Sequence, residues 1–134
     1  MGVGRFALAA VAVALSACQP ALPPQDAPRT ATPLRYESVE TQPLGEGAVN
    51  LIVRMSGPAT EDDLLAYADC AVAGYALRFG YGFARHVRTN MQIEGSLRVA
   101  DAIYTVSPTL PRGLQTIDAE VMASTCAEQG IPTV

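Results

Sequence analysis

The chain has 134 residues, 49% of them hydrophobic and 16% charged, with a formal net charge of −4. That acidic balance excludes a general nucleic-acid binder, which carries a basic surface. All nine basic residues are arginine, tryptophan is absent, and the length admits one domain beyond a leader.

The first element is apolar. Arg5 precedes Ala7–Leu15, a run without a polar residue, and small residues follow. This is the order of a secretory signal over residues 1–17, with its charged, apolar and cleavage regions. A membrane-spanning helix needs ~20 apolar residues, more than this run supplies. Leu15-Ser16-Ala17-Cys18 then places an aliphatic and two small residues before a cysteine. The motif resembles the lipobox of bacterial lipoproteins, and the small Ala-rich chain is similar to uncharacterised lipoproteins of Gram-negative bacteria. The resemblance implies a diacylglyceryl group on the Cys18 thiol, cleavage before Cys18 and acylation of the freed amine. Several acyl chains on one residue give stable anchoring, where one chain gives only marginal binding. Gln19 in place of an aspartate implies delivery to the outer membrane, facing the periplasm.

Residues 18–46 read as a disordered, lipid-anchored linker. They hold Pro20, Pro23, Pro24, Pro28, Pro33 and Pro43 and few large apolar side chains. Such a segment buries too little surface to offset its ordering entropy. Leu34–Val39 is the one stretch in it with the makings of an edge strand.

The folded domain is expected over residues 47–134. Val49, Leu51, Val53 and Met55 alternate, which predicts a strand with those four on one face. Thr60 then caps a helix whose first turn carries Glu61, Asp62 and Asp63, where the helix dipole favours negative charge. Leu64, Ala68, Ala71, Val72, Tyr75 and Phe79 recur at helical spacing, and Gly80 reads as the stop. A second stripe, Ala66, Cys70, Ala73 and Gly74, is small enough for another element to approach closely. Gly74 costs the helix ~1 kcal/mol against alanine, which calls for a packing reason.

A second strand opens at Gly82, and Glu94-Gly95-Ser96 turns it into a third. A three-residue loop pairs Ile93 with Leu97, Met91 with Val99 and Val87 with Ile103, gathering the apolar residues on one face. Pro108 to Gly113 is an extended connection. Thr116 or Asp118 caps a second helix ending at Gly130, and Ile131–Val134 could add a last strand. The order is β-α-β-β-α(-β), that of an α+β, two-layer ferredoxin-like sandwich.

Three constellations carry candidate chemistry. Cys70 and Cys126 are an even pair in an exported chain, and a disulfide is their ordinary fate in an oxidising compartment. With His86 they could instead serve a metal-binding or redox-active periplasmic protein, but zinc sites are usually marked by closely spaced pairs such as C-x-x-C, which are absent. No nucleophile motif or phosphate loop is present, and Asp62 and Asp63 suit a charged first turn better than a catalytic pair. The expectation is a protein without enzymatic activity or cofactor. The third constellation is an uncovered sheet face. If Val49 and Val87 face the helices, Ile52, Arg54, His86, Arg88, Asn90, Gln92, Arg98 and Tyr104 face away. Arginines, a tyrosine and amides suit an envelope protein, an anionic glycan or a lipid headgroup.

Overall fold

The computed structural model describes residues 1–2, 32–45, 47–113 and 115–134. The signal, the Cys18 lipobox and the linker as far as Ala31 lie outside the described residues. Residues 31–134 form one compact unit. Its elements are β1 (Arg35–Pro43), β2 (Ala48–Ser56), α1 (Glu61–Arg78), β3 (Phe83–Glu94), β4 (Leu97–Ser107), β5 (Ile117–Asp118) and α2 (Ala119–Gln129). The domain is α+β: a five-stranded antiparallel sheet in the order β1-β2-β4-β3-β5, with two helices.

The expected β-α-β-β-α order survives as β2-α1-β3-β4-α2, but two strands differ. β1 lies inside the stretch assigned to the linker and pairs along almost the whole of β2. The folded unit therefore begins well before Gly47. No strand follows α2; the short fifth strand precedes it, bridging Ile117 and Asp118 to Ala84 and Phe83. Because β2 and β3 both run antiparallel to β4, α1 joins two parallel strands with a third between them.

The four alternating residues of β2 build the core. Val49, Leu51, Val53 and Met55 are fully buried and pack with Leu64, Ala68, Ala71, Val72 and Tyr75 of α1. Opposite them, β4 presents Ala100, Ala102 and Tyr104, all fully buried. Alanines on both strand and helix let α1 lie close to the sheet, while Leu97, Val99 and Ile103 of β4 are left for the other face.

Those faces follow from the hairpin. Glu94 pairs with Leu97 and Ile93 with Arg98, so the turn has two residues, Gly95 and Ser96, and not three. Gly95 takes a φ of 62°, which a side chain disfavours and a Gly-first hairpin turn requires. The register is one residue away from the expected one. A one-residue slip moves every side chain of a strand to the other face. Leu97, Val99 and Ile103 therefore face away from α1, and Arg98, Ala100, Ala102 and Tyr104 face toward it.

Two bulges further interrupt the alternation. Glu37 is extra in β1, so that Tyr36 and Val39 share the helix-facing side although three residues apart. Val87 is extra in β3, so that His86 and Thr89 share it likewise.

Both helices are capped. Thr60 and Asp63 form a reciprocal capping box: the Asp63 amide donates to Thr60 Oγ1 at 3.2 Å, and the Thr60 amide donates to Asp63 Oδ2 at 2.7 Å. Asp118 Oδ1 accepts from the amides of Glu120 and Val121, both at 3.1 Å. α2 packs beside α1, and Cys70 and Cys126 are joined by a disulfide with their Cα atoms 5.9 Å apart. Beyond α2 the chain passes over Gly74. A Cβ there would stand 2.6 Å from the Val134 carbonyl oxygen and 2.9 Å from Thr133 Cβ, so the glycine admits the C-terminal segment.

Candidate functional site

Asp69 is the only charged residue of α1 between Asp63 and Arg78. It sits one turn beyond Leu65, on the side of the helix that looks toward β3. Tyr104, fully buried on β4, donates its hydroxyl to Asp69 Oδ1 at 2.7 Å. Burial pushes the Asp69 carboxyl above its ordinary value, while the Tyr104 hydrogen bond and the charge on His86 pull it back. Burial and the adjacent carboxylate drive the Tyr104 phenol far above the usual tyrosine range, so it remains a donor. His86 stands edge-on to Tyr104, ring centroids 5.3 Å apart, and its Nε2 lies 2.6 Å from Thr89 Oγ1. The Val87 bulge brings that threonine onto the same side as His86.

The connection before β5 closes the corner. Arg85 donates to the Arg112 carbonyl oxygen and, more weakly, to Thr116 Oγ1 at 3.5 Å. Its guanidinium lies against Gly113, where a Cβ would come within 2.9 Å of it. Gln115 holds a φ of 61°, rare for a side-chain-bearing residue. Between α1, β3 and this connection opens a cleft of about 390 Å³, lined by Leu65, Asp69, Arg85, His86, Gln115, Thr116 and Ile117. A half-buried acid with a displaced pKa inside a concave site is a physical marker of a binding or reactive centre.

The residues expected on one uncovered face are divided between two. Arg54 and Arg88 do face away from the helices, together with Ile52, Asn90 and Gln92. His86, Arg98 and Tyr104 face the helices, because the two-residue turn and the Val87 bulge reverse their assignment. Arg54 is also engaged: its guanidinium stands 3.7 Å from Glu40 and 3.7 Å from Glu94. These pairs link β2 to β1 and to β3, and Val99, the β4 partner of Arg54, is fully buried. Cys70 and Cys126 lie in their disulfide between α1 and α2, while His86 is on β3 with Thr89, so the structure does not gather the three. Among the described residues no three His, Cys, Asp or Glu side chains converge as a metal would need. Cys18 lies outside the described residues.

Sequence reasoning missed Asp69, Arg85 and the 115–117 wall. The available signal was Asp69 itself, a lone acid within an otherwise apolar stretch of helix, whose charge demands a partner from elsewhere in the fold.

An α+β domain with a hydrogen-bonded acid in a corner cleft is thus the class that geometry defines. The family described as the YNQ4 C-terminal domain matches residues 36–130, and the chain belongs to it. The match begins at the second residue of β1 and ends at the glycine that caps α2, so it takes in the sheet but for Arg35, both helices and both cysteines of the disulfide. An uncharacterized 26.9 kDa protein in the nqo8 5′ region of Paracoccus denitrificans is 30% identical over 87 residues, which are 65% of this chain and 34% of that protein. The chain spans about a third of the length of that relative. No solved structure gives a significant match.

Proposed function

We propose that this chain is the precursor of an envelope lipoprotein, anchored through acylated Cys18, whose domain is a non-enzymatic binding module. The observation carrying the binding role is the corner cleft. Its polar groups are each held by a neighbour: Asp69 by Tyr104, His86 by Thr89, and Arg85 by Arg112 and Thr116. Side chains fixed in this way are organised before a ligand arrives, which lowers the entropy lost on binding. In this reading the layout is a ferredoxin-like sandwich in which β1 takes the edge place beside β2 that a strand after α2 would otherwise hold. The Pro-rich stretch ahead of β1 is the tether between membrane and domain, and the anchor faces the periplasm from the outer membrane.

The test is mass spectrometry of the protein isolated from a Gram-negative envelope. Denaturing spectra should give a chain beginning at Cys18 with added acyl mass, lost in Cys18→Ser. Native spectra should give a co-purified small ligand, lost in Asp69→Asn. An unprocessed wild-type chain refutes the anchor, and a ligand-free spectrum refutes the module. Free thiols at Cys70 and Cys126 in the same sample would favour a redox or metal role.

A further inference from the structure

Asp69 and Arg85 carry opposite charges and line one cleft, yet they do not pair. The ion pairs found among the described residues both belong to Arg54. Each cleft charge is held back by its own tether. Tyr104 fixes Asp69 Oδ1, and the Arg112 carbonyl and Thr116 hydroxyl fix an Arg85 Nη. Asp69 Oδ2 makes no hydrogen bond among the described residues. Arg85 Nε is buried and also lacks an acceptor there. A buried N–H without an acceptor is costly and is normally satisfied by protein, water or ligand. The cleft thus offers a carboxylate at one end, a tethered guanidinium at the other, and apolar walls in Leu65 and Ile117.

We propose that the cleft binds a free α-amino acid, its ammonium against Asp69 Oδ2 and its carboxylate against the Arg85 guanidinium. A guanidinium is permanently charged and gives charge-assisted N–H donation to a carboxylate. The ligand's aliphatic carbons lie between Leu65 and Ile117. The volume of about 390 Å³ is at the small end of ligand pockets, which suits one amino acid better than a long peptide. A carboxylate alone leaves Asp69 unmatched, and an amine alone leaves Arg85 so. This inference rests on the binding-module reading and names the ligand class of the same site.

The experiment is amide-resolved NMR titration of the purified chain with L-alanine, L-leucine, acetate and methylammonium. The amino acids should shift the amides of Leu65, Asp69, His86 and Gln115–Ile117, with leucine the tighter. Acetate and methylammonium should each bind at least about tenfold more weakly, the scale of one charge-assisted hydrogen bond. Asp69→Asn keeps an acceptor for Tyr104 while removing the charge, and should lose about tenfold or more in leucine affinity. Arg85→Lys should lose a similar factor. If it also releases the 112–116 connection, ligand-free shifts there report it and Asp69→Asn decides. Absent shifts with both amino acids, acetate binding as well as leucine, or undiminished binding by Asp69→Asn each overturn the proposal. A co-purified ligand of another class, also lost in Asp69→Asn, overturns the amino acid and leaves the module standing.

Discussion

Replacing Tyr104 by Phe removes one hydroxyl and leaves the buried ring in place. The lost interaction is the 2.7 Å donation to Asp69 Oδ1. A hydrogen bond to a charged acceptor contributes about 1.5–3 kcal/mol, and one between neutral groups about 1 kcal/mol. Near neutral pH the variant should therefore be destabilised by roughly 2 kcal/mol, a fall in Tm of about 8–16 °C for a domain near this size. The pH dependence sharpens the test. Burial raises the folded-state pKa of Asp69 above its ordinary value of 3.8, so the folded protein holds this proton more tightly than the unfolded chain. Asp69 thus lowers stability as pH rises through that window, and the loss is complete above the folded value. The Tyr104 hydrogen bond opposes the shift, so its removal raises the pKa further and extends the window upward. Toward pH 4 and below, Asp69 becomes neutral in both proteins, and the gap should narrow to about 1 kcal/mol. Thermal and urea unfolding followed by circular dichroism at neutral and acid pH measures both quantities. An unchanged Tm at neutral pH, or an equal gap at both, would refute the assignment of Tyr104 as the donor that stabilises ionised Asp69.

Reducing the Cys70–Cys126 disulfide, which closes a loop with a sequence separation of 56, should cost about 4 kcal/mol from chain entropy, read as a lower urea midpoint in reductant. Gly74→Ala should destabilise the full chain because its Cβ meets the Val134 carbonyl. In a chain lacking residues 131–134 the same change should stabilise by up to ~1 kcal/mol through helix propensity, so the sign of the effect reports the contact. Thr60→Ala should lose about 0.5–2 kcal/mol by breaking the capping box. The Thr60 hydrogen bonds hold the Asp63 pKa below its ordinary value. Their contribution is therefore present above that value and fades as pH falls through the depressed one, which paired acid titrations of wild type and Thr60→Ala should show.

The helices were legible because their signals are local. Thr60 and Asp118 are strong caps, and Gly80 and Gly130 follow the last turns. β2 was legible because its four large side chains alternate without interruption. β1 showed only faintly, as the Leu34–Val39 stretch, because the Glu37 bulge sets Tyr36 and Val39 three apart and destroys the period of two. In the β3–β4 hairpin, the large apolar residues point to a core face that the two-residue turn reverses. The core face of β4 is made of Ala100, Ala102 and Tyr104, since α1 is alanine-rich and lies close. Val99 is buried on the other face, where Arg54 joins Glu40 and Glu94 in an arrangement of β1, β2 and β3 that no short window contains. The candidate site was hidden for the same reason. Asp69, Arg85 and Gln115 are brought together by tertiary packing, and only the isolation of Asp69 hinted at it.

The two bulges have a consequence for how copies of the domain tolerate one another. β1 is one rim of the sheet, and β3 is the other once β5 has paired with Phe83 and Ala84. Unsatisfied amides along a straight rim invite a neighbouring molecule to add itself as the next strand, the first step toward fibrous aggregates. Each rim here has a residue out of step, Glu37 on one and Val87 on the other. A visiting strand would lose its alignment at that residue, and the exposed Arg88 beside the second break would add charge repulsion between copies. Wherever copies are crowded together, the irregularities that obscured these strands in the sequence also keep the domains from sticking.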